Sequence, residues 1–228
     1  MVRHMEVVPG VHWIEGINGN CYLIVNQTLT LIDTGLPRNA KKILRYITEN
    51  LHRKPSDVTM IILTHSHFDH TGNAEQLRVV TGARIAAHQE DAVYIEGKQQ
   101  ALVPKGGMGM LFKVLSPLIK VRPFPVDTVL KDKDEIAGLS VIFTPGHTPG
   151  SISLYDAKRK VLFTGDTLRY VNGVLEGPSE KFSRDVALAR ASIKKLTALQ
   201  FTTLLSGHGV PLTDNAAQRV RDFASNFP

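Results

Sequence analysis

Three histidines and one aspartate lie within six consecutive positions of this sequence, in the segment His65-Ser-His-Phe-Asp-His70. The preceding run Val58-Thr-Met-Ile-Ile-Leu63 is typical of a buried strand. His65 and His67 are two positions apart, so their imidazoles point the same way as the strand ends, and the other two donors follow in a turn. Neutral imidazole together with carboxylate suits zinc, iron or manganese. The spacing therefore predicts a metal site rather than an exposed polar turn.

Further candidate donors follow predicted strands in the second half of the chain. They are His147, Asp166 and His208, and a glycine directly precedes each of them. Glycine allows the backbone to bend sharply and to direct the next side chain inward. Because the first cluster supplies too few ligands for two closed metal sites, this repeated pattern predicts that the three residues join it.

The elements that would position these residues are short strands and helices in two blocks. Apolar and β-branched runs predict strands over residues 11–14, 21–25, 28–33, 58–64, 84–87, 139–144, 151–155, 161–164 and 202–206. Apolar spacing predicts helices over 39–51, 73–80, 183–199 and 213–223, with Ser183 and Thr213 as N-caps of the last two. Two strand blocks, each followed by helices, predict two packed sheets with helices outside. No shift in composition marks a linker, so we expect one domain over residues 1–228.

Composition narrows the class of protein. The chain has 228 residues, 43% of them hydrophobic, which is enough for one ample core. No apolar run approaches the roughly 18 residues of a membrane helix, and the first residues lack the apolar segment of a secretory signal. The single cysteine, Cys21, excludes an internal disulfide and a multi-cysteine zinc cluster. These features predict a protein of the reducing cytoplasm that does not insert into membranes.

The net charge of +6 could indicate an anionic partner. The positive residues are spread in short clusters, however, and no aromatic residues interleave with them as a stacking platform requires. This pattern disfavours nucleic acid and favours a solvated surface. The expected partner is a small-molecule substrate.

The segment 96–125 differs from the rest of the chain. Its centre, Gly106 to Pro117, is rich in methionine and apolar residues and is flanked by glycine and proline. Long loops of this kind are often functional, and methionine gives an adaptable apolar surface. Two interpretations stay open: a core helix or homodimer contact, and a lid whose pocket residues would be Met108, Met110, Leu111 and Phe112.

In combination, these motifs resemble the metallo-β-lactamase superfamily of hydrolases, and the segment Leu31-Ile-Asp-Thr-Gly35 matches the upstream signature of that family. The resemblance implies an αββα sandwich of two mixed sheets with helices on the outer faces. It also implies one metal held by His65, His67 and His147, a second held by Asp69, His70 and His208, and Asp166 as their bridge. Asp33 would be a carboxylate that orients a metal ligand.

The resemblance is closest to the glyoxalase II-like branch. It implies two divalent ions, with zinc favoured over iron or manganese, and a metal-bound hydroxide that attacks a thioester, lactone or ester. Asp69, Asp166 and Tyr170 are the candidate catalytic residues; a tyrosine near the last position serves some lactonases of the superfamily. Only 20 residues follow His208, so the helical region with which glyoxalase II binds glutathione is not expected.

Other activities stay open at the level of sequence. A persulfide dioxygenase with one iron is the main alternative, followed by phosphodiesterase or RNase activity, β-lactamase activity and a non-catalytic binding protein. The remaining histidines are assigned no metal: His88 is expected to be structural or to support a ligand, and His12 and His52 are expected at the surface.

Overall fold

The computed structural model describes residues 4–100 and 121–227. Its strands, in chain order, are β1 (His4–Val8), β2 (Val11–Ile14), β3 (Cys21–Val25), β4 (Leu29–Ile32), β5 (Val58–Ile62), β6 (Arg84–His88), β7 (Thr128–Leu130), β8 (Glu135–Ile136), β9 (Leu139–Phe143), β10 (Ile152–Asp156), β11 (Val161–Gly165), β12 (Arg169–Val171), β13 (Val174–Glu176) and β14 (Thr203–Ser206). Its α-helices, numbered over the same residues, are α1 (Ala40–Arg45), α2 (Phe68–Thr71), α3 (Ala74–Thr81), α4 (Gln89–Ile95), α5 (Val186–Leu196) and α6 (Ala216–Ser225).

Two mixed sheets form the centre of the molecule. The first has the order β1-β2-β3-β4-β5-β6-β7, antiparallel up to β4 and parallel from β4 to β7. The second has the order β14-β11-β10-β9-β8, in which β11 and β14 are parallel and the other pairs are antiparallel. Strands β12 and β13 form a separate antiparallel hairpin.

The alternation of side chains along the strands separates three apolar layers. In β3, Tyr22 and Ile24 pack in the layer between the two sheets, whereas Cys21 and Leu23 pack under the helices of the first sheet. Phe163 of β11 lies in the layer between the sheets. The third layer joins the outer face of the second sheet to α5 and α6. This arrangement confirms the predicted αββα sandwich.

The helix predicted over 39–51 is only partly regular. Its first part is α1, and the segment Tyr46–Asn50 continues it as a wider π-helical turn. A short 3-10 turn, Pro55–Asp57, then leads into β5. Within residues 4–100 and 121–227, no helix is both long and apolar enough to cross a membrane.

Both predicted N-caps were wrong. Asp185 begins α5 because its side chain accepts a hydrogen bond from the backbone N–H of Leu188 over 2.9 Å. Asn215 begins α6 in the left-handed region, with φ of 47°. Serine is a favourable N-cap residue, but the hydroxyl of Ser183 forms its hydrogen bonds at the candidate site described next and does not cap α5.

Candidate metal centre

The seven predicted donors converge on one edge of the sandwich, where strands of both sheets end. The segment after β5 carries His65 and His67 and leads into α2, which carries Asp69 and His70. The segments after β9, β11 and β14 carry the other three. The complete set is His65, His67, Asp69, His70, His147, Asp166 and His208. Residues more than 140 positions apart in sequence are thus brought together by the ends of neighbouring strands.

The ligand atoms of these residues fall into groups in which every pair lies within 4.8 Å. One group is His65, His67 and His147, and in it Nδ1 of His67 lies 2.9 Å from Nε2 of His147. Another contains Asp69, whose Oδ2 lies 3.2 Å from Nε2 of His208, together with His70.

Asp166 contacts both groups. Its Oδ2 lies 3.5 Å from Nε2 of His147 and 3.3 Å from Nε2 of His208, and its Oδ1 lies 3.4 Å from Nε2 of His70. A single carboxylate therefore faces donor atoms on either side, which is the geometry that a bridging ligand requires.

Several buried donor atoms of the cluster have no hydrogen-bond partner in the part of the chain that the structure describes. They include Nε2 of His65, Nε2 of His70 and Oδ1 of Asp166. Buried polar atoms are almost always satisfied in folded proteins, so an unpaired group of three at one place needs an explanation. Imidazole nitrogen and carboxylate oxygen are the atoms with which proteins bind zinc and related ions. The residues present therefore fit a metal centre.

Asp33 lies behind the cluster, is almost fully buried and accepts three hydrogen bonds. Its Oδ2 accepts from Nδ1 of His70 over 2.8 Å and from Oγ1 of Thr64 over 2.7 Å, and its Oδ1 accepts from the Thr64 N–H over 2.8 Å. Because the Thr64 hydroxyl donates to Asp33, it accepts from Nδ1 of His65, 3.1 Å away. Both histidines are thereby held with Nδ1 protonated, so that Nε2 is the ring atom directed into the site.

Ser183 plays the same part for His147. Its hydroxyl donates to the carbonyl of Ser179 over 2.7 Å and so accepts from Nδ1 of His147 over 3.1 Å. The Nε2 lone pair of His147 is left facing the cluster. The sequence predicted Ser183 as the N-cap of a helix. It lies beside His147 instead, because the loop before α5 packs against the segment that follows β9.

Two glycines allow the close approach of the loops. Gly165 has φ of 48°, and a Cβ there would lie 2.6 Å from Oγ1 of Thr64. A Cβ at Gly207 would overlap Oδ1 of Asp166 and lie 2.7 Å from Cε1 of His70. The left-handed φ of Gly165 agrees with the sharp bend expected of a glycine before a donor, and at Gly207 the close approach leaves no room for a side chain.

The two groups differ in charge. Burial lowers the pKa of His65, of His67 and, to about 3, of His147, so these imidazoles are neutral at pH 7. Burial also disfavours the charged forms of His70 and His208, but neighbouring carboxylates outweigh it. Asp33 and Asp166 raise the pKa of His70, and hydrogen bonds to Asp166 and Asp69 raise the pKa of His208 to about 9.

The carboxyl groups respond in the opposite direction. Burial alone would raise the pKa of Asp69 and Asp166, but the positive charge of His70 and hydrogen bonding from His208 lower both. Asp69 and Asp166 are consequently carboxylates at neutral pH, the form that binds a cation.

Not all candidate residues join the cluster. The Tyr170 hydroxyl accepts a hydrogen bond from Nη1 of Arg219 over 3.1 Å, and its ring packs at the apolar layer under α5 and α6. Its catalytic role stays a prediction that these contacts do not favour. Met108, Met110, Leu111 and Phe112, and with them the centre of the segment 96–125, lie outside the described residues.

Two leftover histidines have structural contacts. His88 stacks on Phe143 with ring centroids 4.2 Å apart and accepts from the N–H of Glu90 at the start of α4, as a structural role requires. The surface position expected for His12 is wrong: it is buried, and its Nδ1 lies 2.7 Å from the hydroxyl of Tyr46. His52 is exposed as expected.

Sequence reasoning missed four polar residues that support the site. Thr64 and Ser183 orient histidines, Asp91 joins two of the ligand loops, and Asn20 joins the turn after β2 to the loop of His208. Thr64 could have been suspected because it precedes the histidine motif. The other three carry no local signal, since their partners lie at least 25 positions away in sequence.

Comparison with known proteins places this arrangement in a family. The family described as the metallo-beta-lactamase superfamily matches residues 14–208. A probable metallo-hydrolase, YflN of Bacillus subtilis, is 32% identical over 91% of this chain and 87% of its own length. The human acyl-coenzyme A thioesterase MBLAC2 is 28% identical over 98% of this chain and 86% of its own. The hydroxyacylglutathione hydrolase GloC of Haemophilus influenzae is 25% identical over 98% and 99%.

Solved structures agree on the fold. BJP-1, a subclass B3 metallo-beta-lactamase of Bradyrhizobium japonicum, superposes with a TM-score of 0.73 at 24% identity, over 97% of this chain and 89% of its own. A metallo-beta-lactamase family protein of Thermus thermophilus gives 0.73 at 24% identity, over 96% and 79%.

Proposed function

Because this chain belongs to the metallo-beta-lactamase superfamily, we propose that it is a dinuclear metal-dependent hydrolase of acyl bonds and that its substrates are thioesters. Its relatives include metallo-hydrolases, and the cluster of imidazoles and carboxylates fits a metal site. The number of ions, their identity and the substrate are the parts that we add as a proposal.

The contacts of Asp166 with donors of both groups carry the proposal. One ion can engage only some of these seven donors, whereas two ions bridged by Asp166 would engage all of them. We assign His65, His67 and His147 to one ion and Asp69, His70 and His208 to the other, with Asp166 between them. The predominance of imidazole favours zinc.

Two divalent ions in this centre would supply a nucleophile from water at neutral pH and would polarise the substrate carbonyl. The chain's own residues fix where that chemistry happens. Asp33, Thr64 and Ser183 hold three imidazoles in the tautomer that presents Nε2. Asp69, whose side chain is 23% exposed, lies at the open side of the cluster and can accept a proton released from the attacking water.

Two relatives support thioesters as the substrate class. MBLAC2 is named an acyl-coenzyme A thioesterase and GloC a hydroxyacylglutathione hydrolase, and both substrates contain a thioester bond. GloC aligns over 99% of its own length, so the shortness of the segment after His208 does not argue against a glutathione thioester. The apolar sequence from Gly106 to Leu115 favours an apolar acyl group, a hypothesis that rests on sequence alone.

The domain organisation and the cellular compartment are also proposals. We propose that residues 1–228 form one domain with an inserted segment at 96–125, since both described ranges contribute strands to the sandwich. A reducing compartment is proposed because the one cysteine, Cys21, is a free and fully buried thiol.

The test combines metal analysis with a substrate panel. We expect about two equivalents of zinc per chain and the highest kcat/KM on acyl-coenzyme A or hydroxyacylglutathione among thioesters, lactones, β-lactams, phosphodiesters and persulfides. One equivalent of iron with oxygen-dependent turnover of a persulfide would instead identify a dioxygenase. Two zinc ions with hydrolysis of only lactones or β-lactams would keep the metal centre and overturn the substrate class.

A further inference from the structure

Asp91 is a fully buried carboxylate on α4, a helix that carries none of the candidate ligands. Its Oδ2 accepts hydrogen bonds from the Ser66 N–H over 2.6 Å and from Oγ1 of Thr148 over 2.7 Å. Its Oδ1 accepts from the Gly150 N–H over 2.7 Å. A buried carboxylate is tolerated only when such donors surround it.

The donors to Asp91 lie beside the candidate ligands. Ser66 stands between His65 and His67, and Thr148 directly follows His147. The first loop leaves the first sheet and the second loop leaves the second sheet. One carboxylate therefore connects the two loops that carry every member of the His65, His67 and His147 group.

The loop after His147 is packed tightly against Asp91. A Cβ at Gly150 would lie 2.7 Å from Cβ of Asp91, so this position has no room for a larger residue. Ser151 extends the network, because its hydroxyl accepts from the Thr148 N–H over 2.9 Å and lies 2.7 Å from Oγ1 of Thr148. The position of the loop relative to α4 is thus fixed at several points.

We propose that Asp91 is a positioning residue that sets the separation of His67 and His147 and thereby the affinity of the metal position they share with His65. The inference rests on the proposed dinuclear centre. Among the described residues, the hydrogen bonds that Asp91 accepts come from Ser66, Thr148 and Gly150, and none of these directly adjoins Asp69, His70 or His208, so its effect should fall on one metal position and not on both.

The substitution Asp91→Asn keeps the shape of the side chain but removes its charge and replaces one acceptor oxygen with an NH₂ donor. A carboxylate only accepts, whereas the asparagine amide must direct its NH₂ group toward one of the N–H or O–H donors. One loop would have to move away, which changes the 2.9 Å separation of Nδ1 of His67 and Nε2 of His147. Supporting partners of metal ligands commonly change metal affinity by about 10–100-fold.

The experiment uses the full-length chain loaded with Co²⁺ and titrated with a competing chelator, with the visible absorption of Co²⁺ as the signal. The unaltered chain should release two equivalents. In Asp91→Asn, we expect one equivalent to bind about 10–100-fold more weakly with an altered spectrum and the other to be unchanged. Thr148→Val, which removes a single donor, should weaken the same equivalent by a smaller factor.

The matched control is Asp156→Asn. Asp156 is also buried, accepts from the N–H and Nη1 of Arg159, and lies at the end of β10 remote from the ligands. It should lower the stability of the fold and leave both Co²⁺ affinities unchanged. Unchanged affinities in Asp91→Asn and Thr148→Val, or equal weakening of both equivalents in these two variants, would overturn the positioning role. Release of a single equivalent by the unaltered chain would instead refute the dinuclear centre.

Discussion

Oδ2 of Asp33 accepts a hydrogen bond from Nδ1 of His70 over 2.8 Å, and both side chains are buried. The same oxygen accepts from the Thr64 hydroxyl, which in turn accepts from His65. His65 and His70 belong to different candidate metal positions. One carboxylate consequently orients an imidazole at each position, and a change at Asp33 should affect both.

Asp33→Asn tests this shared role. If the amide oxygen of the asparagine accepts from His70 and from the Thr64 hydroxyl, its NH₂ group faces the Thr64 N–H, and two donors cannot form a hydrogen bond. We therefore expect kcat/KM to fall about 10–100-fold. Both metal equivalents should bind more weakly in a chelator competition, in contrast to Asp91→Asn. Asp134→Asn, at a partly exposed carboxylate of the β7–β8 turn, is the control. Normal affinity at either position in Asp33→Asn would contradict the interpretation.

Asp166→Ala tests the bridge. Removing the carboxylate leaves Nε2 of His70, His147 and His208 without the group that lies 3.3–3.5 Å from each of them. We expect turnover to fall at least about 1,000-fold and metal content to drop from two equivalents toward one, measured by steady-state kinetics and elemental analysis. Asp214→Ala, at an exposed position before α6, should behave as the unaltered chain. A kcat retained by Asp166→Ala would refute the assignment.

Asn20→Ala tests the support of His208 from the first sheet. The Asn20 amide donates to the carbonyls of Ser206 and Gly209 and accepts from Nε1 of Trp13 over 3.0 Å. The Ser206 carbonyl keeps a hydrogen bond from the Tyr22 hydroxyl, but the Gly209 carbonyl and Nε1 of Trp13 lose the one from Asn20. A buried partner left unpaired costs about 1–3 kcal/mol, so urea unfolding should show a loss of stability. Because these bonds position the loop of His208, kcat should fall as well. Asn226→Ala, at an exposed amide, should change neither quantity, and a stability loss with unchanged kcat would limit Asn20 to a structural role.

Metal binding should stabilise the fold. Zinc at about 1,000 times its Kd contributes about 4 kcal/mol, which for a chain of this size raises Tm by about 8–16 °C. The physical reason is that bound ions satisfy the unpaired buried atoms of His65, His70 and Asp166. Differential scanning calorimetry with and without a chelator gives the shift. His52→Ala, at an exposed histidine, should keep the shift and His147→Ala should reduce it; equal shifts in both variants would place the zinc elsewhere.

The sequence predicted those parts of the fold that depend on local patterns. The strands around the motifs were found because apolar runs such as Val58 to Leu63 end at polar residues, and the glycines at 165 and 207 marked the loops. Strands β1, β7, β8, β12 and β13 were missed. The last four have two or three residues each, too few for a period to be recognised, and β1 has only five, with Glu6 interrupting its apolar residues.

The support of the site could not be predicted for a different reason. Asp91 stands in a helix whose local sequence is ordinary, and its role arises only because Ser66 and Gly150 meet it from two sheets. His12 was expected at the surface because it is isolated in the sequence. Its partner in the fold, Tyr46, lies 34 positions later. Pairings of this kind depend on tertiary packing, which the periodicity of one strand or helix does not encode.

The candidate ligands come from both halves of the sandwich, with His65 to His70 after the first sheet and the other donors after the second. The apolar layer around Phe163 lies between these two sheets, so we expect its thickness to affect the gap across which the ions would be held. A bulkier side chain there would widen that gap, and a smaller one would let it collapse. If the proposed activity is correct, we expect selection on it to constrain the volume of core residues that never contact the substrate.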